Sequence, residues 1–203
     1  MEFNTWRHHI ERRTDFATRV THLTRSKDGR NAFQNLMKIL ADKRIEGSTT
    51  SSGYIVGNRK AVCFQDVPLL SLAENIAYEK EMTPEGESLR YEPYGLRFNK
   101  CRLFRQGARP VIYGPTQELK TQLPSDEYWR IVNMDYNNND NLIDWTHERE
   151  WRIPGDLEFE YKDVEVIVYS PDDYRRMIEM CPINNPELLK QINGIICLKS
   201  ILN

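Results

Sequence analysis

Val164-Glu165-Val166-Ile167-Val168-Tyr169 is the stretch on which the fold reading turns. β-Branched residues crowd it, and all but Glu165 are apolar, which predicts a strand rather than one face of a helix. Pro171-Asp172-Asp173 then opens a helix running through Tyr174 and Met177-Ile178. Leu188 to Ile192 reads as helical, and Gly194-Ile195-Ile196-Cys197-Leu198 as a closing strand. Working back from this stretch, the segment after Glu150 reads as a strand ending in a turn at Pro154-Gly155-Asp156. Asn137-Asn138-Asn139-Asp140 is a surface turn, and Asp126 to Met134 is expected to be helical. Pro110-Val111-Ile112-Tyr113 and Tyr94-Gly95-Leu96-Arg97-Phe98 read as strands, with a helical turn from Cys101 to Gln106 that ends at Gly107. Residues 82–93 form a loop. Pro68 starts a helix through Leu69, Leu72 and Ile76, just after a short strand at Ala61-Val62-Cys63-Phe64.

Nearer the N-terminus, residues 46–53 are a polar Gly/Ser/Thr loop of the kind that closes over a ligand. Phe33, Leu36, Met37 and Leu40 recur at helical spacing, predicting a helix over 29–42 capped by Ser26 or Asp28. A strand precedes it, ending near Thr24, and residues 1–15 form an arm or short helix. Short strands mixed with short helices, without regular alternation, predict an α+β fold: one domain over 1–203, a compact mixed sheet with flanking helices.

Composition narrows the function classes. The chain has 203 residues, 39% hydrophobic and 29% charged, enough apolar surface for a packed core. No run approaches the roughly 18 apolar residues of a membrane span, and no signal peptide is evident, so a cytoplasmic setting without membrane contact is expected. Cys63, Cys101, Cys181 and Cys197 form no C-x-x-C pair and match no zinc framework, which is consistent with free thiols in a reducing compartment. A net charge of −2 argues against a globally basic nucleic-acid binder. Residues 1–44 nevertheless hold ten Lys/Arg against five Asp/Glu, a local excess that suits either a phosphate-bearing ligand or a solvated helix face.

The densest chemistry lies in His147-Glu148-Arg149-Glu150-Trp151-Arg152. If the segment is extended, Glu148, Glu150 and Arg152 share one face, and Trp151 and Ile153 point into the core. Two carboxylates with a guanidinium as countercharge form an acidic site able to stabilise a developing cation, such as an oxocarbenium-like sugar carbon. The same residues also suit the solvated face of an edge strand. His22, between Thr21 and Thr24 near a strand end, is placed to bond a ribose hydroxyl or to serve as a structural residue. Arg25 and Lys27, at a strand-to-helix junction, suit phosphate. Nucleotide-loop, metalloprotease and serine-hydrolase motifs are absent, and Asp135, Asp140 and Asp144 match no calcium loop, so no metal is expected.

Three segments also carry a family likeness. Ala61-Val62-Cys63-Phe64-Gln65-Asp66-Val67-Pro68-Leu69, then Tyr94-Gly95-Leu96-Arg97-Phe98 with Gly107-Ala108-Arg109-Pro110-Val111-Ile112-Tyr113, then Glu148-Arg149-Glu150-Trp151-Arg152, resemble in order the motif blocks of AbiGi-type abortive phage-resistance proteins. More distantly, His22-Leu23-Thr24 before a helix and a late-strand glutamate resemble DarT-type enzymes, which ADP-ribosylate DNA bases using NAD. This chain has Gln65-Asp66 where those enzymes carry an arginine. The resemblance implies an ADP-ribosyltransferase-like fold, with NAD as substrate bound in a cleft. It makes Glu150 the catalytic glutamate and Glu148 its E-x-E companion, and it implies that His22, Thr24, Arg25, Phe64, Tyr94 and Arg152 contact NAD. The acceptor would be a nucleic acid or a protein. A phage-defence role also admits a non-catalytic, antitoxin-like module that binds a toxin partner.

Overall fold

The computed structural model describes residues 2–52, 54–87, 89–184 and 186–201. Gly53 and Ser88 of the expected loops and Met1 of the arm lie outside them. In chain order the elements begin with α1 (Phe3–Glu11), β1 (Arg19–Leu23), α2 (Ala32–Asp42), β2 (Arg44–Ile45), β3 (Ala61–Gln65) and α3 (Leu69–Met82). Next come β4 (Gly95–Asn99), α4 (Lys100–Arg105), β5 (Arg109–Pro110), β6 (Ile112–Gly114), α5 (Thr116–Gln122) and β7 (Ile131–Asn133). The chain closes with β8 (Glu150–Pro154), β9 (Leu157–Glu158), β10 (Val164–Val168), α6 (Pro171–Asn184), α7 (Leu188–Gln191) and β11 (Ile195–Cys197). This is a mixed α/β architecture with flanking helices. Among the described residues, no helix is long and apolar enough to cross a membrane.

The chain divides into two compact units, each drawn from separate segments. Unit 1 comprises residues 1–44, 67–99 and 158–203; unit 2 comprises 45–66 and 100–157.

Unit 1 holds a mixed sheet in the order β11-β10-β4-β1, parallel between β10 and β11 and antiparallel elsewhere. Strand β10 is central, so its apolar run is buried from both sides: Val164, Val166, Ile167 and Val168 are all 0% exposed. Burying each such side chain contributes about 1.5–3 kcal/mol. Leu72, Ala73 and Ile76 of α3 pack with Ile167, Leu198 and Leu23 into one core cluster. Helix α2 begins later than its periodicity suggests. Its cap is Asn31, whose Oδ1 accepts from Gln34 N while Gln34 Oε1 accepts from Asn31 N, both at 2.9 Å. Ser26 instead bonds Glu92, and Asp28 sits in a tight turn at φ 55°. Neither Ser26 nor Asp28 is the cap.

Unit 2 is built on the antiparallel order β3-β8-β5, with β6 and β7 as a parallel pair. Three expectations change here. The strand foreseen over 110–113 is two strands, because Val111 N turns to Glu150 O (3.0 Å) and frees Ile112 to pair with Ile131. The helix foreseen over 126–134 is a 3-10 turn, Ser125–Arg130, followed by β7, whose Ile131-Val132 suit a strand. The polar loop from residue 46 is anchored at its start: Gly47 N donates to Asp156 Oδ1 (2.9 Å), and Ser48 exchanges backbone bonds with Ala61. A Cβ on Gly47 would fall 2.2 Å from Gly155 O, which explains the glycine.

Candidate functional site

Strand β8 runs between β3 and β5, so it is not an edge strand, and its polar face is the buried one. Arg152 is 3% exposed and Glu150 8%. They stand two apart on the same face, as strand periodicity requires. Arg152 Nε donates to Glu150 Oε1 at 2.7 Å, and one terminal nitrogen donates to Oε2 at 3.1 Å, a bidentate pair. Its other N–H groups reach the Trp129 carbonyl (2.8 Å), the Ile131 carbonyl (3.1 Å) and the Tyr54 carbonyl (3.2 Å). A guanidinium has five N–H donors, and all five are used within the fold. Arg152 is therefore the residue that orients Glu150, and the expectation that it holds NAD is corrected on that ground. Burial pulls the guanidinium down, but the charge of Glu150 outweighs it and holds Arg152 above its usual value.

Glu148 departs from the expected geometry. It ends a 3-10 turn, Thr146–Glu148, and Arg149 follows in the left-handed region at φ 46°, so the strand starts only at Glu150. The bend breaks the strand alternation between Glu148 and Glu150 and leaves Glu148 buried at 6% exposure. Asp66 N, just past β3, donates to the carbonyls of Glu148 and Arg149 (both 3.3 Å) and ties the bend down. Trp151, on the opposite face of β8, is half-buried beside Phe104 and Lys100.

Neighbours on the Glu150 face come from β3 and β6. Tyr113 Oη accepts from Glu150 N at 2.8 Å. Burial first, and the charges of Glu150 and Glu148 after it, push that phenol up to about 12. Cys63 lies opposite Arg152 in the ladder. Its thiol is driven well above its ordinary range by burial and by Glu150, against the opposing pull of Arg152, so it stays protonated rather than nucleophilic. Gln65 lies opposite Glu150, is 6% exposed, and its Oε1 has no hydrogen-bond partner. Gln65, Cys63 and Tyr113 were quoted in the motif blocks without a role. Strand register puts Gln65 and Cys63 on the Glu150 face, and a hydrogen bond brings Tyr113 to Glu150.

Phe64, one residue before Gln65, points the other way. It is 1% exposed and pairs with Trp151, so it is core, and its expected contact with NAD is corrected. The other expected ligand residues lie in unit 1. His22 is half-buried on β1 opposite Leu96. The Thr24 hydroxyl is spent inside the fold, directed at the carbonyls of Ala32 (2.9 Å) and Tyr94 (3.1 Å). Arg25 lends its carbonyl to Asn35 Nδ2 (2.7 Å), and the capping box already engages the Gln34 amide at the helix start proposed for phosphate. The Tyr94 ring meets Phe33 edge-on, and burial and then Asp173 push its phenol up to about 12. Among the described residues, no group of three or more His, Cys, Asp or Glu is placed to hold a metal ion.

Chemically, the β8 site offers an oriented glutamate with two of its roughly four lone-pair positions taken by Arg152. The remaining acceptor capacity suits a ligand hydroxyl, and the charge suits a developing cation. Comparison of the chain with protein-family models, curated proteins and solved structures finds no match.

Proposed function

We propose that this chain is an NAD-dependent ADP-ribosyltransferase-like enzyme of anti-phage defence, with Glu150 as its catalytic carboxylate. One observation carries the reading. Glu150 sits on the middle strand of β3-β8-β5, almost buried, its orientation set by a bidentate arginine that has no donor to spare. Such preorganisation is what electrostatic stabilisation of a transition state requires. It coincides with the glutamate that the DarT likeness singles out.

In the proposed reaction Glu150 accepts a hydrogen bond from the nicotinamide ribose. The bond from C1′ to nicotinamide breaks, and its electron pair leaves with nicotinamide. The oxocarbenium-like carbon is stabilised by the carboxylate. A nucleophile on a nucleic-acid or protein acceptor then bonds to C1′ and sheds its proton to solvent. Glu148, buried one bend away, adds negative potential.

A second reading, a non-catalytic partner-binding module such as an antitoxin, draws on a different feature. Leu70, Tyr78 and Met82 are 50%, 64% and 62% exposed on one side of α3.

Thermal melting with and without millimolar NAD, for wild type and Glu150→Gln, tests the proposal, followed by assay of free nicotinamide. A ligand at about 100 times its Kd adds roughly 2.7 kcal/mol of stability. The expected result is a higher melting temperature in wild type, and nicotinamide release that Glu150→Gln abolishes while still melting cooperatively. Wild type that neither shifts nor releases nicotinamide would refute the enzyme reading and favour the partner-binding one.

A further inference from the structure

We infer that Gln65 is a second ligand-contacting residue of the β8 site, and that Gln65 and Glu150 together accept the two hydroxyls of a sugar vicinal diol. The inference rests on the function proposed above and names the part of the substrate this site grips.

Gln65 is the last residue of β3 and the direct ladder partner of Glu150. Directly opposed residues of an antiparallel pair project from the same face, with Cβ atoms about 4.5–5.5 Å apart. Gln65 is 6% exposed, and its Oε1 is sealed from solvent without a donor. Buried acceptors are seldom left unmet, because the hydration lost on burial is not recovered. The neighbour best able to supply a donor, Arg152, has committed all five of its N–H groups elsewhere. The fold thus places a carboxamide oxygen beside a carboxylate and leaves it unserved. The terminal torsion of glutamine is broad and roughly two-fold, so Oε1 can reorient toward a ligand brought to Glu150.

Two adjacent acceptors define their ligand. A phosphate, which offers mainly acceptors, does not fit them. A vicinal diol presents two O–H donors on neighbouring carbons, one for each side chain. In the proposed reaction the sugar carbon must come to Glu150, so the hydroxyls of that same ring are the donors within reach. A primary carboxamide, such as that of nicotinamide, also carries two donors, and the experiment separates the two.

The test measures the affinity of wild type and Gln65→Met for NAD, for NAD analogues lacking either hydroxyl of the nicotinamide ribose, and for an analogue lacking the carboxamide. Methionine keeps the length of glutamine without its polar atoms. The expected result has three parts. In wild type, loss of one particular ribose hydroxyl weakens binding about tenfold, the factor that corresponds to 1.4 kcal/mol. Gln65→Met weakens NAD by a similar factor and no longer senses that hydroxyl. Its ligand-free melting temperature is equal to or above that of wild type, because an unmet acceptor has been removed.

Gln65→Met that binds NAD like wild type would overturn the inference and leave the enzyme reading intact. So would sensitivity to the carboxamide in place of a hydroxyl, or a marked fall in the ligand-free melting temperature. Wild type that binds no NAD overturns both.

Discussion

Arg152 shows how much one side chain decides in this protein. Its guanidinium holds Glu150 and three main-chain carbonyls from Tyr54, Trp129 and Ile131. Breaking a buried ion pair by removing one partner typically costs about 3–5 kcal/mol, because the other charge is left unpaired. Arg152→Ala is expected to reach that range in urea unfolding and to cost more than Glu150→Gln, since three carbonyls also lose their donor. Arg152→Lys recovers little, as an ammonium cannot reproduce the planar fork.

Cys63 and Tyr113 give the site a pH signature. Both are raised in the folded state, the thiol well above 9.0 and the phenol from 10.0 to about 12. Below pH 9 both groups are neutral whether the chain is folded or not, and their contribution to stability is fully present. Above it the unfolded chain releases protons that the folded chain retains, so stability falls as pH rises. Unfolding free energy measured against pH should decline from about pH 9 in wild type. Cys63→Ala should flatten the first part of that decline, and Tyr113→Phe the part between about 10 and 12. An unchanged slope in Cys63→Ala would show that the thiol is not held neutral by the fold.

At the scale of elements, Gly95 explains one of the recognisable motif positions by packing alone. A Cβ there would lie 2.2 Å from His22 O and 3.1 Å from Leu23 Cα, so β1 and β4 can pair only with glycine at this point. Gly95→Ala should therefore destabilise unit 1 by at least the roughly 1–3 kcal/mol typical of overpacking, read as a lower urea midpoint. A neutral Gly95→Ala would mean that β1 and β4 can separate at no cost. Elements with strong local signals were legible: the Val/Ile run of β10, Pro171 opening α6, and Gly107 after α4. Where the local signal was split, prediction failed. Asp126 to Met134 holds both a charged turn and a β-branched pair, and only parallel pairing with β6 makes Ile131-Val132 a strand. Helix α5, with no buried residue, carries no apolar stripe to read.

At the scale of the molecule, neither unit is a continuous piece of chain. Strand β4 has β1 on one side, and on the other β10, which lies more than 60 positions further along the sequence. A fragment ending at Asn99 has β1 and β4 but neither β10 nor β11, leaving an unpaired apolar edge. Such a fragment is expected to show no cooperative unfolding by circular dichroism. A cooperative transition would mean that the strands and helices before residue 100 suffice without β10 and β11.

By itself the sequence determined the mixed α/β class, the position of most strands and helices, and the acidic block at 148–152 as the place to look. These follow from composition and short-range periodicity, which act over a few residues. Tertiary structure alone decided which of those charges face inward and what they do there. Glu148 and Glu150 are separated by a left-handed residue, Arg152 spends every donor on partners from four segments, and Phe64 and Gln65 take opposite faces. The physical reason is register. Which residue of β3 lies opposite Glu150 depends on how strands about 85 positions apart in the chain align, and no local pattern carries that information.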